Sequence, residues 1–343
     1  MIGQTCCLDI GEGYIKVVDA EVSKKNILVH SAGFSDIAFN PYAVMAKDYA
    51  TKASETIRKL ILDSGIKKSD VRIVIPDSQS YTRVLDMPFL SDKELISAIR
   101  YQADQFIPVP IDQVTLDIHI IMKDKKLNKT TLLLVAAAHS IVNHAVKLAE
   151  DAALVPVLLE NETSAFLRLV STMRQHIKVE KPLNQLYINF GTSTSSLYLF
   201  DTQRNVPLQV HTFSLGQQIF FKDMKANYML TDEQIREIIE RIGFTQAESQ
   251  YKLSELFASP MNECVAEIRR FMVSAKEQLS ADVHEILLFG EGSQFAGFDA
   301  KLGELLGIPV KIFPLVDSLE SNTVSDFFKE DWPLLASAVG GCL

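Results

Sequence analysis

Three glycine turns carry the residues of this chain whose types and spacing could do chemistry. The first lies in CLDIGEGYIKVVD, residues 6–18, where an apolar strand runs through Asp9 into Gly11-Glu12-Gly13 and a second apolar strand carries Lys16. Gly-x-Gly between two apolar runs is an ordinary hairpin signal. It is also the pattern of a phosphate cradle: backbone N–H groups of a tight glycine turn can hold phosphate oxygens, and an aspartate at the strand end can hold a hydrated magnesium. The second turn lies in LYINFGTSTSSLYLF, residues 186–200, where Ile188-Asn189-Phe190-Gly191 repeats the layout of Leu8-Asp9-Ile10-Gly11. The third is Gly290-Glu291-Gly292, closing the strand VHEILLFGEG ahead of FDAKLGELLG. Such a strand–turn–helix unit lets a helix N-terminus or a glycine backbone approach a ligand.

The elements that must position these turns alternate in the α/β manner. The first two turns are 180 residues apart in a chain of 343, about half its length, which suggests a duplicated fold with its turns facing one cleft. TKASETIRKLILDSG (51–65) places Ile57, Leu60 and Ile61 on one helical face, with Gly65 as its stop. VRIVIPD (71–77) reads as a buried strand, followed by YTRVLDMP. Ser91 and Glu94 form a capping box for a helix over SDKELISAIRYQADQFIP, whose stripe is Leu95, Ile96, Ile99 and Phe106 and whose end is set by Pro108 and Pro110. TLDIHIIM and TLLLVAAA pair around a lysine-rich tip. NHAVKLAEDAAL is helical, PVLLE a strand and SAFLRLVSTMRQ a helix. A second capping box, Thr231 to Gln234, opens a helix with Ile235, Ile238, Ile239 and Ile242 on one side, and a long amphipathic helix spans 262–280.

Composition narrows the function. The chain is long enough for two domains of about 150 residues, and its 47% hydrophobic content supports a large core and argues against disorder. A net charge of −9 disfavours nucleic acid, since the densest basic stretch, KDKKLNK at 123–129, reads as a solvated hairpin tip. No run reaches the ~18 apolar residues of a membrane span, and no signal peptide is read ahead of Gly3. Cys6, Cys7, Cys264 and Cys342 lack metal spacing; Cys6 and Cys7 should point to opposite faces of a strand, and all four read as reduced thiols of a cytoplasmic protein. His139 beside Ser140 is a helix start and not a charge relay.

In this order, LDIGEGYIK, INFGTSTSS and ILLFGEGSQFAGF resemble the phosphate and adenosine turns of the actin-like ATPase fold. More narrowly, the chain resembles PilM-type pilus assembly proteins, relatives of the cell-division protein FtsA. The match is carried by IPDSQSYTRVLDMPFLSDKELISAIRYQADQFIPVPIDQVTLD, by LLLVAAAHSIVNHAVKLAEDAALVPVLLENETSAFLR and by LLGIPVKIF. The resemblance implies duplicated halves around a nucleotide cleft. It places subdomain 1A at 1–76 and 140–180, an FtsA-like insertion 1C at 77–139, subdomain 2A at 181–212 and 262–343, and subdomain 2B at 213–261. It also implies a scaffold at the cytoplasmic face of the inner membrane in type IV pilus assembly, which binds the short N-terminal cytoplasmic segment of a bitopic PilN-like partner in a groove of 1A and 1C. Other proteins of the pilus assembly platform are further partners, and nucleic acid and direct membrane insertion are not expected.

Carried over by position, the nucleotide-binding residues are Asp9, Gly11, Glu12, Gly13 and Lys16 in the first turn, with Asp9 as a weak magnesium ligand. Asn189, Gly191, Thr192, Ser193 and Thr194 follow in the second. Glu160 and Glu162 match acidic positions that orient water or metal, or cap the next helix. Gly216 matches a glycine near the cleft, and Gly290, Gly292 and Ser293 match the adenosine turn. Three departures point one way. Glu12 stands where the family usually has a small hydroxyl residue, and Glu291 where it usually has glycine; both add charge that repels phosphate. Asn189 stands where actin-like ATPases usually carry an aspartate that helps hold the metal. The expectation is ATP or ADP with Mg²⁺ bound weakly, or no cofactor if the cleft is degenerate, with slow or absent hydrolysis. Two rivals share the fold: a phosphotransfer enzyme of the sugar-kinase kind, and an FtsA-like filament former.

Overall fold

In the computed structural model the first glycine turn joins β1 (Cys6–Ile10) to β2 (Tyr14–Ser23), antiparallel, with Asp9 directly opposite Lys16. The structure describes residues 5–24, 26–43, 47–102, 105–175, 183–245, 247 and 249–343. The chain divides into two compact units: Met1–Ser23, Leu28–Thr172 and Ser337–Leu343 form the first, and Lys24–Ile27 with Met173–Ala336 the second.

The first unit continues through β3 (Asn26–Asp36), α1 (Lys47–Asp63), β4 (Asp70–Ile75), β5 (Ser80–Pro88), α2 (Asp92–Tyr101), β6 (Val114–Asp124), β7 (Lys129–Ala138), α3 (His139–Asp151), β8 (Val155–Asn161) and α4 (Glu162–Arg174). One sheet runs β3-β2-β1-β4-β8. β1 is buried along its whole length, as its apolar run requires, and pairs in parallel with β4, which pairs in parallel with β8. Cys6 faces the core that α1 and α3 share with the sheet, through Ala53, Ile57, Ala145 and Leu148. Cys7 points to the opposite face, where Gly341 and Cys342 pack on it. All four cysteines are buried and free.

Within 77–139 lies a second sheet, β5-β7-β6, with its own small core of Met87, Leu95, Ile99, Ile107, Val114, Leu132 and Leu134. The Ser91–Glu94 capping box is formed. The helix it opens differs from the expectation: it ends at Tyr101, well before Pro108. The Gln102 N–H is shared among the carbonyls of Ala98, Ile99 and Arg100, a tightened last turn. Ile107 is then buried in the small core outside the helix, while Ile96, expected on the apolar stripe, is exposed.

The second unit comprises β9 (Asn184–Phe190), β10 (Ser195–Asp201), β11 (Val206–Phe213), α5 (Gln218–Asn227), α6 (Asp232–Arg241), α7 (Leu253–Leu256), α8 (Ala258–Leu279), β12 (Glu285–Phe289), α9 (Phe298–Leu306), β13 (Val310–Ile312) and α10 (Thr323–Phe327). Its sheet runs β11-β10-β9-β12-β13, with β9 antiparallel to β10 and parallel to β12. That is the order and sense of the first sheet, so the half-chain echo is a true duplication of architecture. Phe190, at the end of β9, packs on Phe298 with ring centroids 4.7 Å apart, and Phe220 packs on Phe257 at 4.9 Å. Each buried phenyl contributes about 1.5–3 kcal/mol. The cluster fixes where the second and third glycine turns emerge. The last helix, α11 (Ala336–Cys342), returns to the first unit, where Arg168 donates to the Gly340 carbonyl.

Candidate functional site

The first turn sits on a buried charged cluster. Gly11 N–H donates to Tyr14 O at 2.9 Å and closes the turn, while Gly13 O accepts from Ile37 N–H at 2.9 Å. Asp9 is fully buried; its Oδ2 accepts from Lys16 Nζ at 3.2 Å, and its Oδ1 has no hydrogen-bond partner among the described residues. Burial pushes the Asp9 carboxyl above its usual range, Lys16 pulls it back and Asp77 adds to the rise. The Glu12 carboxylate does not project freely from the turn. It is buried and accepts from Asn40 Nδ2 at 3.3 Å and from Gln79 Nε2 at 3.1 Å. Tyr42, whose N–H donates to Asn40 Oδ1, donates its own hydroxyl to Ile10 O at 2.9 Å and braces the strand end.

Asp77, read from sequence only as the end of a strand, proves to be the centre of the cluster. It is 3% exposed and accepts from Asn161 Nδ2 at 3.0 Å, from Thr163 N–H at 3.1 Å and from Thr163 Oγ1 at 2.9 Å. Its own N–H donates to Glu162 Oε2 at 3.1 Å. Burial, reinforced by the Asp9 and Asp77 charges, pushes the Glu162 carboxyl well above its usual range, with Lys16 opposing. Asn161 Nδ2 also lies 3.0 Å from Ser80 Oγ and 2.8 Å from Thr82 Oγ1, at the start of β5. The β8–α4 junction is thereby stapled to the point where the 77–139 segment leaves the main sheet. Glu160 has a different partner: it forms an ion pair with Arg168, the residue that also holds Gly340 O.

Among the described residues no three His, Cys, Asp or Glu side chains are grouped to hold a metal directly. The unpartnered Asp9 Oδ1 does fit a hydrated magnesium, an ion that keeps several of its waters and takes one or two carboxylates.

The second and third turns meet within the second unit. Gly191 N–H donates to Thr194 O at 3.1 Å, closing the second turn. Gly216 lies where a Cβ would meet the Gly191 and Thr192 carbonyls at 2.5 and 2.6 Å; beside it, Gln217 N–H donates to Gly191 O and Gln218 N–H to Thr192 O. Asn189 is buried against Gly290, whose φ of +76° and contact with Asn189 Oδ1 suit glycine alone. Gly292 rests on the Phe190 ring, and Ser293 Oγ donates to Gly290 O at 2.6 Å. Thr192 Oγ1 donates to the buried Glu291 carboxylate, 2.6 and 2.8 Å from its two oxygens. Ser193 and Thr194 are half-buried in the same turn. Gln217, 4% exposed and absent from the sequence-derived site, has an Oε1 with no hydrogen-bond partner among the described residues.

A family model described as type IV pilus assembly protein PilM matches residues 7–343. Among solved structures, a chain of a PilM–PilN type IV pilus biogenesis complex superposes with a TM-score of 0.84 at 20% identity, over 99% of this chain and 97% of that one. The ethanolamine utilization protein EutJ from Carboxydothermus hydrogenoformans superposes with a TM-score of 0.54 at 11% identity, over 98% of this chain and 88% of that one. Comparison with curated proteins finds no sequence match. With the paired five-stranded sheets, these likenesses make the fold actin-like.

Proposed function

The chain belongs to the type IV pilus assembly protein PilM family, and we propose that it serves the pilus machine as a scaffold for a PilN-like partner. In this reading the short N-terminal cytoplasmic segment of a bitopic inner-membrane protein binds a groove of subdomains 1A (1–76, 140–180) and 1C (77–139), and the partner tethers the chain to the inner face of the membrane. The family match across 7–343 carries the reading. The separate core of the 77–139 segment supports it, as does the Asp77 network that fixes this segment to β8 and α4. Among the described residues no helix is long and apolar enough to cross a membrane.

The same reading keeps the glycine turns as a nucleotide site with slow or absent turnover. Bound Mg-ATP would supply an anion and a hydrated cation for the turns to recognise. Asp9 would take a magnesium-bound water on Oδ1, while Lys16 holds Oδ2. The residues that would drive hydrolysis are weakened: Asn189 offers an amide in place of a carboxylate, the Lys16 ammonium is already paired, and Thr192 already donates to Glu291. A scaffold needs none of these groups for turnover.

Co-expression with its PilN-like protein tests the scaffold role. The chain should sediment with inner membranes when the full-length partner is present, and should leave the membrane fraction when the partner's N-terminal cytoplasmic segment is deleted. Equal distribution in both strains refutes the proposal.

A further inference from the structure

The strongest unexplained feature outside the Asp77 cluster is the contact between Thr192 and Glu291. Thr192 is the first hydroxyl of the second turn, the residue type that would donate to a phosphate oxygen. Its one hydroxyl proton instead lies between the two oxygens of a carboxylate, 2.6 and 2.8 Å from Oγ1. Both side chains are buried. Hydrogen bonds to an ionised acceptor are about twice as strong as neutral ones and shorter. The glycines on either side of the carboxylate are closely packed: Gly290 lies against Asn189 at a φ of +76°, and Gly292 lies against Phe190. The turn's own carbonyls at Gly191 and Thr192 are likewise taken by the Gln217 and Gln218 amides. The buried acceptor beside them, Gln217 Oε1, has no hydrogen-bond partner among the described residues.

We propose that Glu291 is the specificity-determining residue of the second turn, an internal anion that takes the place of a nucleotide phosphate on the Thr192 hydroxyl. This rests on reading that turn as a phosphate turn. A nucleotide then engages the turn only by displacing a carboxylate already seated there, and the cost falls on affinity rather than on the chemical step. Arg236 of α6 lies near enough to interact electrostatically with Glu291. The device differs from simple repulsion by added charge, because it works through one hydroxyl.

A double-mutant cycle separates the two. Mg-ATP and Mg-ADP are titrated by calorimetry into the full chain, into Glu291→Ala, Glu291→Gln, Thr192→Val and the Glu291→Ala/Thr192→Val double variant, with Asn189→Asp alongside. Thermal melting establishes that each is folded, and Glu291→Gln keeps the side-chain volume should the alanine variant melt early. Glu291→Ala is expected to bind Mg-ATP at least about tenfold more tightly than the parent chain, Glu291→Gln to gain less, and the double variant to lose the gain. A gain that survives removal of the Thr192 hydroxyl overturns the proposal in favour of plain charge repulsion. No gain in either Glu291 variant, with Asn189→Asp binding Mg-ATP, overturns the proposal and leaves the nucleotide site standing. No binding of either nucleotide by any variant overturns both the proposal and the phosphate reading of the turn.

Discussion

Replacing Thr163 by valine should destabilise the first unit by an amount that can be worked from the Asp77 cluster. Thr163 is fully buried, and its hydroxyl is 2.9 Å from each Asp77 oxygen. Valine keeps the volume and removes the donor, so packing is nearly unchanged and the loss is that of one hydrogen bond to a buried carboxylate, about 1.5–3 kcal/mol. Asp77 still receives the Thr163 N–H and Asn161 Nδ2, which places the expected loss near the middle of that range, about 2 kcal/mol. For a unit of this size the melting temperature should fall by about 4–8 °C. Differential scanning calorimetry of the full chain measures it, with Thr163→Ser as the control that restores the donor. Because Asn161 joins Asp77 to Ser80 and Thr82, the 77–139 segment should also exchange its β5 amides faster in the valine variant. A melting temperature within about 1 °C of the parent would refute the reasoning, since the hydroxyl would then contribute nothing to holding the carboxylate.

Three further outcomes are expected. Asn189→Asp should raise affinity for Mg-ATP by about tenfold by restoring a carboxylate to the metal's surroundings; unchanged binding by titration calorimetry counts against the metal reading. Glu162 and Asp9 both have carboxyl groups raised by burial, so the folded chain holds protons that the unfolded chain releases above about pH 4. Their contribution to stability is therefore most favourable at low pH and falls as pH rises through the folded values. Glu162→Gln should match the parent near pH 4 and exceed it in urea midpoint at pH 8, and equal midpoints at both pH values would refute the assignment. At Gly340 an added Cβ would overlap the Ala165 carbonyl, backbone against backbone, so Gly340→Ala should cost about 2 kcal/mol or more by denaturant unfolding.

Much of the architecture was legible in local sequence. The two hairpins with their turns are contiguous strings, both capping boxes lie within four residues, and Gly65 ends its helix with a φ of +68°. The α2 helix was overextended because prolines mark where a helix must already have ended and say nothing of where the last turn tightens. The α5 helix went unread because its first turn has no side-chain cap. The cluster chemistry was less accessible. Asp77 meets Thr163 across 86 positions, Glu12 meets Gln79 across 67, and Thr192 meets Glu291 across 99. No periodicity or spacing records such contacts. Sequence identified the carboxylates at 12 and 291 as departures, but only the fold reveals that Glu12 accepts from Asn40 and Gln79, and Glu291 from Thr192, each within its own unit. Glu160 lies in β8 while Glu162 opens α4, and one joins Arg168 while the other joins Asp77.

The scaffold role is tested most directly by calorimetric titration of a synthetic peptide, the N-terminal cytoplasmic segment of the PilN-like protein from the same organism, into the full chain with and without Mg-ATP. Saturable one-to-one binding in both conditions, with no phosphate released over the course of the titration, is the predicted result. Absence of peptide binding in both conditions, together with steady ATP turnover, would contradict it and return the chain to the enzymes of its fold.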